Sequence, residues 1–411
     1  MAREYKDSGI EWIGEIPKEW KTCQLKRLLS FQNGQDYKHV ESDSGYPVYG
    51  SGGIFKYSTE YLYDGESVLF GRKGTIDKLL FVKGKFWTVD TMYYAIPLLG
   101  NDTKFLYYLA TLLPFDKYQT STALPSMTQT LLGNMNVVLP PLSEQQKIAT
   151  YLDKVCGEVD EMIVLQEQMI EELKAYKQSV ITEAVTKGLN PNIPMKDSGI
   201  VWIGEIPEGW KVCRIKNVAT LFGRIGFRGY TSDDLNKDGE GAITLSPSNM
   251  MPMCMDYSKV TYLNWKKYEE SPEIMIQDGD LLMVKTGSSY GKVSYVDKLP
   301  REATINPQIL RIVPSVNPKY LGYYMQTDMF IYQVEGGVVG GTIPTISQEK
   351  INNFYVVLPT DGKQQSIASY LDTKCSEIDA LIAIKQQKIE ELKDYKKSVI
   401  YEYVTGKKEV N

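Results

Sequence analysis

His39 is the one histidine in a chain of 411 residues, so any general base of the usual kind would have to be this side chain. It stands without an acid, cysteine or serine partner at a telling spacing and reads as structural or solvated. The five cysteines, Cys23, Cys156, Cys213, Cys254 and Cys375, form no CxxC. They read as reduced packing residues rather than zinc ligands. The run YGSGG at Tyr49 has the glycines of a nucleotide loop but neither the strand–loop–helix context nor the later acid. No P-loop lysine, HExxH or nucleophile elbow occurs. The residue types argue against a catalyst.

They permit, without proving, a face that meets nucleic acid. Two runs, SVLFGRKGTIDKLLFV and DLLMVKTGSSYGKVSYV, share one design. An apolar strand follows a Gly-acid pair (Gly65-Glu66, Gly279-Asp280), and a turn rich in Gly, Lys and Ser follows the strand. Base edges are read by Arg, Lys, Asn, Gln, Ser or Thr, whereas phosphate contacts position the protein. Loop placement selects Arg72, Lys73, Lys78, Tyr118, Gln119, Ser121 and Thr122 in the first half. In the second half it selects Arg224, Arg228, Lys285, Ser288, Ser289, Tyr290 and Lys292. YQTSTALPSM and GGVVGGTIPTI occupy equivalent places further on and are the second loop candidates.

The formal charge of −5 is unlike a strongly basic nucleic-acid binder, but it is unevenly spread. Residues 21–142 carry 12 Lys/Arg against 10 Asp/Glu, a balance of +2, and residues 211–358 carry 16 against 15, a balance of +1. Residues 143–187 carry 5 against 9, a balance of −4. The net excess of acid lies outside the regions that hold the candidate loops. No apolar run approaches the roughly 18 residues of a membrane span, and MAREYKDSG lacks the apolar core of a signal peptide, so a cytoplasmic location is expected.

The elements that position these loops are written twice. KDSGIEWIGEIPKEW at Lys6 returns as KDSGIVWIGEIPEGW at Lys196, and Trp20/Trp210, Cys23/Cys213 and Lys26/Lys216 keep the same offset of 190. LPPLSEQQKIATYLDKVCGEVD from Leu139 returns as LPTDGKQQSIASYLDTKCSEID from Leu358, at an offset of 219. The extra 29 residues, 219 − 190, fall inside the second copy. Each half is a constant frame around a divergent, strand-rich centre.

From Ser143 to Val185 there is no Pro and one Gly. Apolar residues at Ile148, Leu152, Val155, Val159, Met162, Met169, Leu173, Tyr176 and Val180 follow a 4-3 alternation interrupted by Gln166. Lys363 to Val404 repeats it with Ile367, Leu371, Ile378, Leu381, Ile382, Ile389, Leu392, Tyr395 and Val399. Two helices of about 40 residues, each roughly 60 Å long, are expected to pair with one another. A second stripe is left over for helices of another chain: Ile163, Met169, Ile170, Leu173, Ile382, Ile389 and Leu392 are the candidate partner-binding residues. TKGLNPNIP supplies the helix stop and a linker.

The twin GEIPKEW/GEIPEGW motifs and the doubled LPPLSEQQKIATYLD block make the chain similar to the specificity subunit of type I restriction-modification systems, over essentially its whole length. The second copy departs, reading LPTDGKQQ, but Gln364 and Gln365 match. The resemblance implies an α+β chain with an internal pseudo-twofold repeat. Two mixed α/β target recognition domains, residues 1–142 and 188–358, would be separated by a pair of long antiparallel coiled-coil helices, residues 143–187 and 359–411. It further implies that each domain reads half of a split site in double-stranded DNA. The helices would dock two adenine-N6 methyltransferase subunits that bind S-adenosylmethionine, this chain holding no cofactor, and nuclease-translocase subunits would join for restriction. The doubled Trp motif is expected to pack each domain on a helix end.

Two other readings stay open at this level. A self-contained DNA modification enzyme would need cofactor and catalytic motifs. NPKY at Asn317 echoes the Asn-Pro-Pro-Tyr of amino-methyltransferases, but it lacks the second proline and a Pro-containing turn explains it. A coiled-coil tether binding protein or glycan is the other.

Overall fold

The computed structural model describes residues 3–98, 100–118, 125–237, 239–340 and 343–410. The chain divides into two compact units, Met1–Gln168 with Lys385–Asn411, and Met169–Ile384. Each unit holds one divergent centre and parts of both long helices.

In the first unit the opening motif is a hairpin of β1 (Tyr5–Asp7) and β2 (Glu15–Pro17). Gly9, at φ +69°, makes the turn that lets the Asp7 carboxylate accept from its N–H. After β3 (Lys21–Gln24) comes a seven-stranded sheet of β4 (Leu29–Asn33), β5 (Glu41–Ser42), β6 (Tyr46–Gly50), β7 (Gly53–Ser58), β8 (Tyr63–Gly71), β9 (Leu80–Thr88) and β10 (Met92–Pro97). Its order is β4-β10-β8-β9-β6-β7-β5. The continuous apolar run of β8 is buried on both faces, as a central strand requires. Helices α1 (Thr103–Thr111), α2 (Phe115–Tyr118) and α3 (Gln129–Asn134) follow, and β11 (Asn136–Leu139) returns to pair with β3. The first long helix, α4, spans Leu142–Lys187.

The second unit repeats this plan. β12 (Met195–Asp197) pairs with β13 (Glu205–Pro207), and β14 (Lys211–Arg214) leads to β15 (Ala219–Gly223). A four-stranded sheet of β16 (Leu235–Asn236), β17 (Ala242–Leu245), β20 (Thr261–Leu263) and β23 (Ala303–Ile305), in the order β16-β20-β17-β23, repeats the β5-β7-β6-β9 pairing of the first unit, and a small hairpin of β18 (Met250–Met251) and β19 (Cys254–Met255) and a short α5 (Trp265–Glu269) are added to it. The other sheet, in the order β15-β24-β21-β22, contains β21 (Leu281–Val284), β22 (Val293–Tyr295) and β24 (Ile309–Pro314). α6 (Pro318–Tyr324), α7 (Asp328–Gly337), α8 (Gln348–Asn352) and β25 (Tyr355–Leu358), paired with β14, lead into α9 (Asp361–Val404).

The doubled glutamines explain the motif before each long helix. The buried Gln145 amide accepts from Asp102 N at 2.9 Å and donates to the Pro140 carbonyl at 2.9 Å. Gln364 accepts from Asn317 N at 3.0 Å and donates to Pro359 at 2.9 Å. Asp102 and Asn317 are in turn the N-caps of α1 and α6, so each glutamine locks a helix of the divergent centre to a long-helix start. NPKY is thus a cap with Pro at the first helical position. Nearby, the Tyr108 hydroxyl donates to Asp153 at 2.6 Å and Tyr323 donates to Asp372 at 2.9 Å. Lys104 and Lys319 reach the same carboxylates. Burial, aided by these carboxylates, raises both tyrosine pKa values. The Trp motif packs as expected: the Trp20 indole donates to Glu144 at the start of α4, and Trp210 lies against Gly188 after its end.

Within each unit the two long-helix stretches run antiparallel. In the first, Tyr151 stacks on Tyr403 at 4.5 Å and Asp160 meets Lys396 at 2.6 Å. In the second, Lys177 meets Asp379 at 2.7 Å. The seam, however, follows a different line from the expected one. On α4 it runs Leu152, Cys156, Val159, Ile163, Gln166, Ile170, Leu173, Lys177, Val180 and Ala184, all buried or half-buried. Met162, Met169 and Tyr176 face outward. Val155 and Cys156 offer alternative entries to a 4-3 line. On the line taken, Asp153 and Cys156 both turn toward Tyr108. α9 repeats the line through Cys375, Ile382, Ile389, Leu392, Lys396 and Val399.

The copies differ where the stacked tyrosines lie. The mate of Tyr403, 219 residues earlier, is Ala184, and the mate of Tyr151 is Tyr370. A cavity of about 770 Å3 lies in the second unit beside Ala184 and Tyr370, lined also by the linker residues Leu189, Asn190 and Met195.

Candidate nucleic-acid interface

The two loops expected in each half are brought together by the same backbone knot. In the first unit, Arg72 follows β8 directly. Its N–H donates to the Thr91 carbonyl at 2.9 Å, and its carbonyl accepts from Met127 N at 3.0 Å. Gly74, at φ +82°, then donates to the Pro125 carbonyl at 2.9 Å. In the second unit, Lys285 follows β21. Its N–H donates to Gln308 at 2.8 Å, its carbonyl accepts from Ile346 N at 2.9 Å, and Gly287 N donates to Pro344 at 3.0 Å. Isolated bridges Lys73–Ser126 and Thr286–Thr345 close both knots. The loops are held from three sides, so the side chains they project start from a rigid base.

What they project differs. The Arg72 guanidinium lies 5.8 Å over the Tyr93 ring and donates to the Asp90 carbonyl at 3.3 Å, while Lys73 and Lys78 are exposed. Tyr118 ends α2, and Gln119, Ser121 and Thr122 lie outside the described residues. In the second unit Ser288 is exposed, and Ser289 and Lys292 are half-buried. Tyr290 packs on the main core. Burial lowers the pKa of Lys285, with no acid to offset it.

Arg224 requires a correction. It is 6% exposed, donating to the Ile305 carbonyl at 3.1 Å, the Thr304 hydroxyl at 3.0 Å and the Arg228 carbonyl at 3.3 Å. Its fork is spent tying the loop after β15 to β23, and it reads nothing outside. Arg228 meets Glu273 at 3.5 Å and stays at the surface. Three amides missed in the sequence lie beside the knots. Gln308 is exposed next to Lys285. Gln129 and Gln348, mates at the 219 offset, bond to Asn33 and to the Leu221 carbonyl. The offset was the available signal for the last two.

On the long helices Ile170, Ile389 and Leu392 are buried within the chain, so they are not free for a partner. Ile163, Leu173 and Ile382 are half-buried and Met169 is exposed. The exposed apolar surface lies one position over: Met162 (50%), Leu165 (53%), Met169 and Tyr176 on α4, and Leu381, Ile384 (59%) and Tyr395 on α9. The two sets are again 219-offset mates, apart from Met169, whose mate is Lys388.

The sequence profile of the type I restriction modification DNA specificity domain matches residues 17–175 and 207–394. The chain belongs to that family. Among curated relatives, the type I restriction enzyme MjaVIII specificity subunit of Methanocaldococcus jannaschii is 25% identical, covering 98% of this chain and 96% of its own. The putative MjaX specificity subunit of the same organism is 27% identical over 99% and 98%. A solved chain from work on complex assembly and conformational transition of the type I R-M system aligns with a TM-score of 0.70, at 16% identity, over 95% of this chain and 98% of that one. That likeness supports the fold of a specificity subunit. Two matched profile segments coincide with the two repeats, and no helix among the described residues is long and apolar enough to cross a membrane.

Proposed function

We propose that each unit reads one half of a split site in double-stranded DNA. The observation that carries this is the doubled knot, which builds the same rigid loop platform twice and places a different cationic set on each. The chain is the non-catalytic reader of a cytoplasmic complex. Chemistry comes from two adenine-N6 methyltransferase subunits that bring S-adenosylmethionine, and nuclease-translocase subunits join for restriction. The repeated exposed stripe, Met162/Leu381, Leu165/Ile384 and Tyr176/Tyr395, supports docking of equivalent helices at two places, since paired apolar patches of this kind mark protein contacts. Met169 and the half-buried Ile163, Leu173 and Ile382 line its margin.

Exchanging residues 21–122 for another family member's centre tests the reading. Methylation mapping is expected to show one altered half-site beside one unchanged; two altered halves, or none, would refute it. Leu165→Asp with Ile384→Asp is expected to abolish methyltransferase binding.

A further inference from the structure

We infer that Lys285 reads a guanine in the second unit's half-site, taking its O6 and N7 through the major groove. This rests on the reading of each unit as a half-site reader and names the base that one residue recognises.

The surroundings of Lys285 carry the argument. Its backbone is fixed by β21 on one side and by hydrogen bonds to Gln308 and Ile346 on the others. The stem is half-buried, and the ammonium passes over Gly223, where a Cβ would stand 3.1 Å from Nζ. No carboxylate or hydrogen-bond acceptor meets that ammonium among the described residues, and burial alone acts on its charge. Its structural counterpart Arg72 is satisfied by the Asp90 carbonyl and the Tyr93 ring. A partly desolvated cation without a partner is costly until an acceptor arrives.

Phosphate and guanine are both acceptors, and the geometry separates them. Phosphate contacts come readily from exposed lysines such as Lys73 and Lys78 in the first unit. A half-buried ammonium packed over Gly223, which Gln348 also approaches, rises from a backbone fixed on three sides and suits an acceptor whose position is equally fixed. The guanine edge offers two adjacent acceptors and is the commonest target of a reading lysine or arginine.

The test uses the chain assembled with its methyltransferase. Lys285→Met keeps the stem and removes the charge, and Lys285→Ala removes both. Sequencing of methylated genomic DNA is expected to show an unchanged first half-site. The second should be relaxed at one G·C position, with roughly 10- to 100-fold discrimination lost there. The slope of log affinity against log salt should stay as in the native complex. On DNA carrying 7-deazaguanine at that position, the native complex should lose affinity and Lys285→Met should be indifferent. A slope reduced by about 1 with sequence preference intact would make Lys285 a phosphate contact and overturn the inference. So would variants that change neither quantity. A native complex that binds no specific DNA would overturn the parent reading instead.

Discussion

Replacing Asp280 by Ala should destabilise the second unit by about 3–5 kcal/mol, the usual result of removing one partner of a buried ion pair. Asp280 and Arg311 join at 2.7 Å, with side chains only 5% and 10% exposed. The same carboxylate oxygen accepts from Gln277 N at 2.8 Å, and the guanidinium also donates to the Glu273 carbonyl at 3.2 Å. Deleting the carboxylate leaves a buried guanidinium without its counter-charge and takes the side-chain acceptor from the Gln277 N–H. Asp280→Leu combined with Arg311→Met removes the stranded charge as well, and such apolar replacements run from neutral to stabilising. Loss of the acceptor for the exposed Gln277 N–H still costs about 0.5–1.5 kcal/mol, so the double variant should fall near the native stability or slightly below it.

Hydrogen exchange read by mass spectrometry suits a chain of two units, where one overall transition is ill-defined. Peptides over β21 and β24, which pair with each other, should lose protection by about 10^2- to 10^3-fold in Asp280→Ala and largely regain it in the double variant. A loss below tenfold in the single variant, or a double variant as weak as the single, would refute the reasoning. Because β21 runs straight into Lys285, fidelity at the second half-site should fall before the first is touched.

Tyr403→Ala should cost the first unit about 1–3 kcal/mol, somewhat under the full value for a buried aromatic because the ring is half-exposed. Ala184→Tyr should be accepted without loss, since the cavity beside Tyr370 already has the room; thermal unfolding of both variants checks the pair. Lys177→Glu should weaken helix pairing in the second unit by up to about 1 kcal/mol, and adding Asp379→Lys should restore it; failure to rescue would mean that the pair does not set register. Burial pushes the Tyr257 phenol up to about 12 and also raises those of Tyr323 and Tyr324. Protons held more tightly in the folded state give stability that is complete below the unfolded value near 10 and is lost as pH rises from there through about 12. Absorbance at 295 nm from these phenols should therefore rise together with loss of far-UV dichroism, and ionisation ahead of unfolding would contradict it.

The frames were legible because their signals are local. The two framing motifs are written twice at fixed offsets, and from Ser143 to Val185 no proline interrupts the helical alternation. The knots at Arg72 and Lys285 could be placed for the same reason, each lying between a buried strand and a Gly-rich turn. Arg224 could not be sorted from them, because LFGRIGF reads as an exposed loop until β23 supplies two acceptors from about 80 residues away. The solitude of Lys285 is likewise a property of what does not surround it, which no spacing records.

The helix seam is the instructive error. Leu152 and Val159 belong to both possible lines, and Val155 is the more apolar choice between them. The chain takes Cys156, because Asp153 must face Tyr108 and a helix cannot turn one residue without turning the rest. That rotation carries Ile170 inward and Met162, Leu165 and Tyr176 outward, and the same choice at Cys375 does so again in α9. The surface left exposed on each long helix therefore goes with a tyrosine–aspartate contact between that helix and the domain before it. Tyr108→Phe with Tyr323→Phe should loosen both long helices about their axes and weaken partner docking while every exposed apolar residue stays in place. Docking unaffected by that pair would mean that the seam holds its phase without the domains.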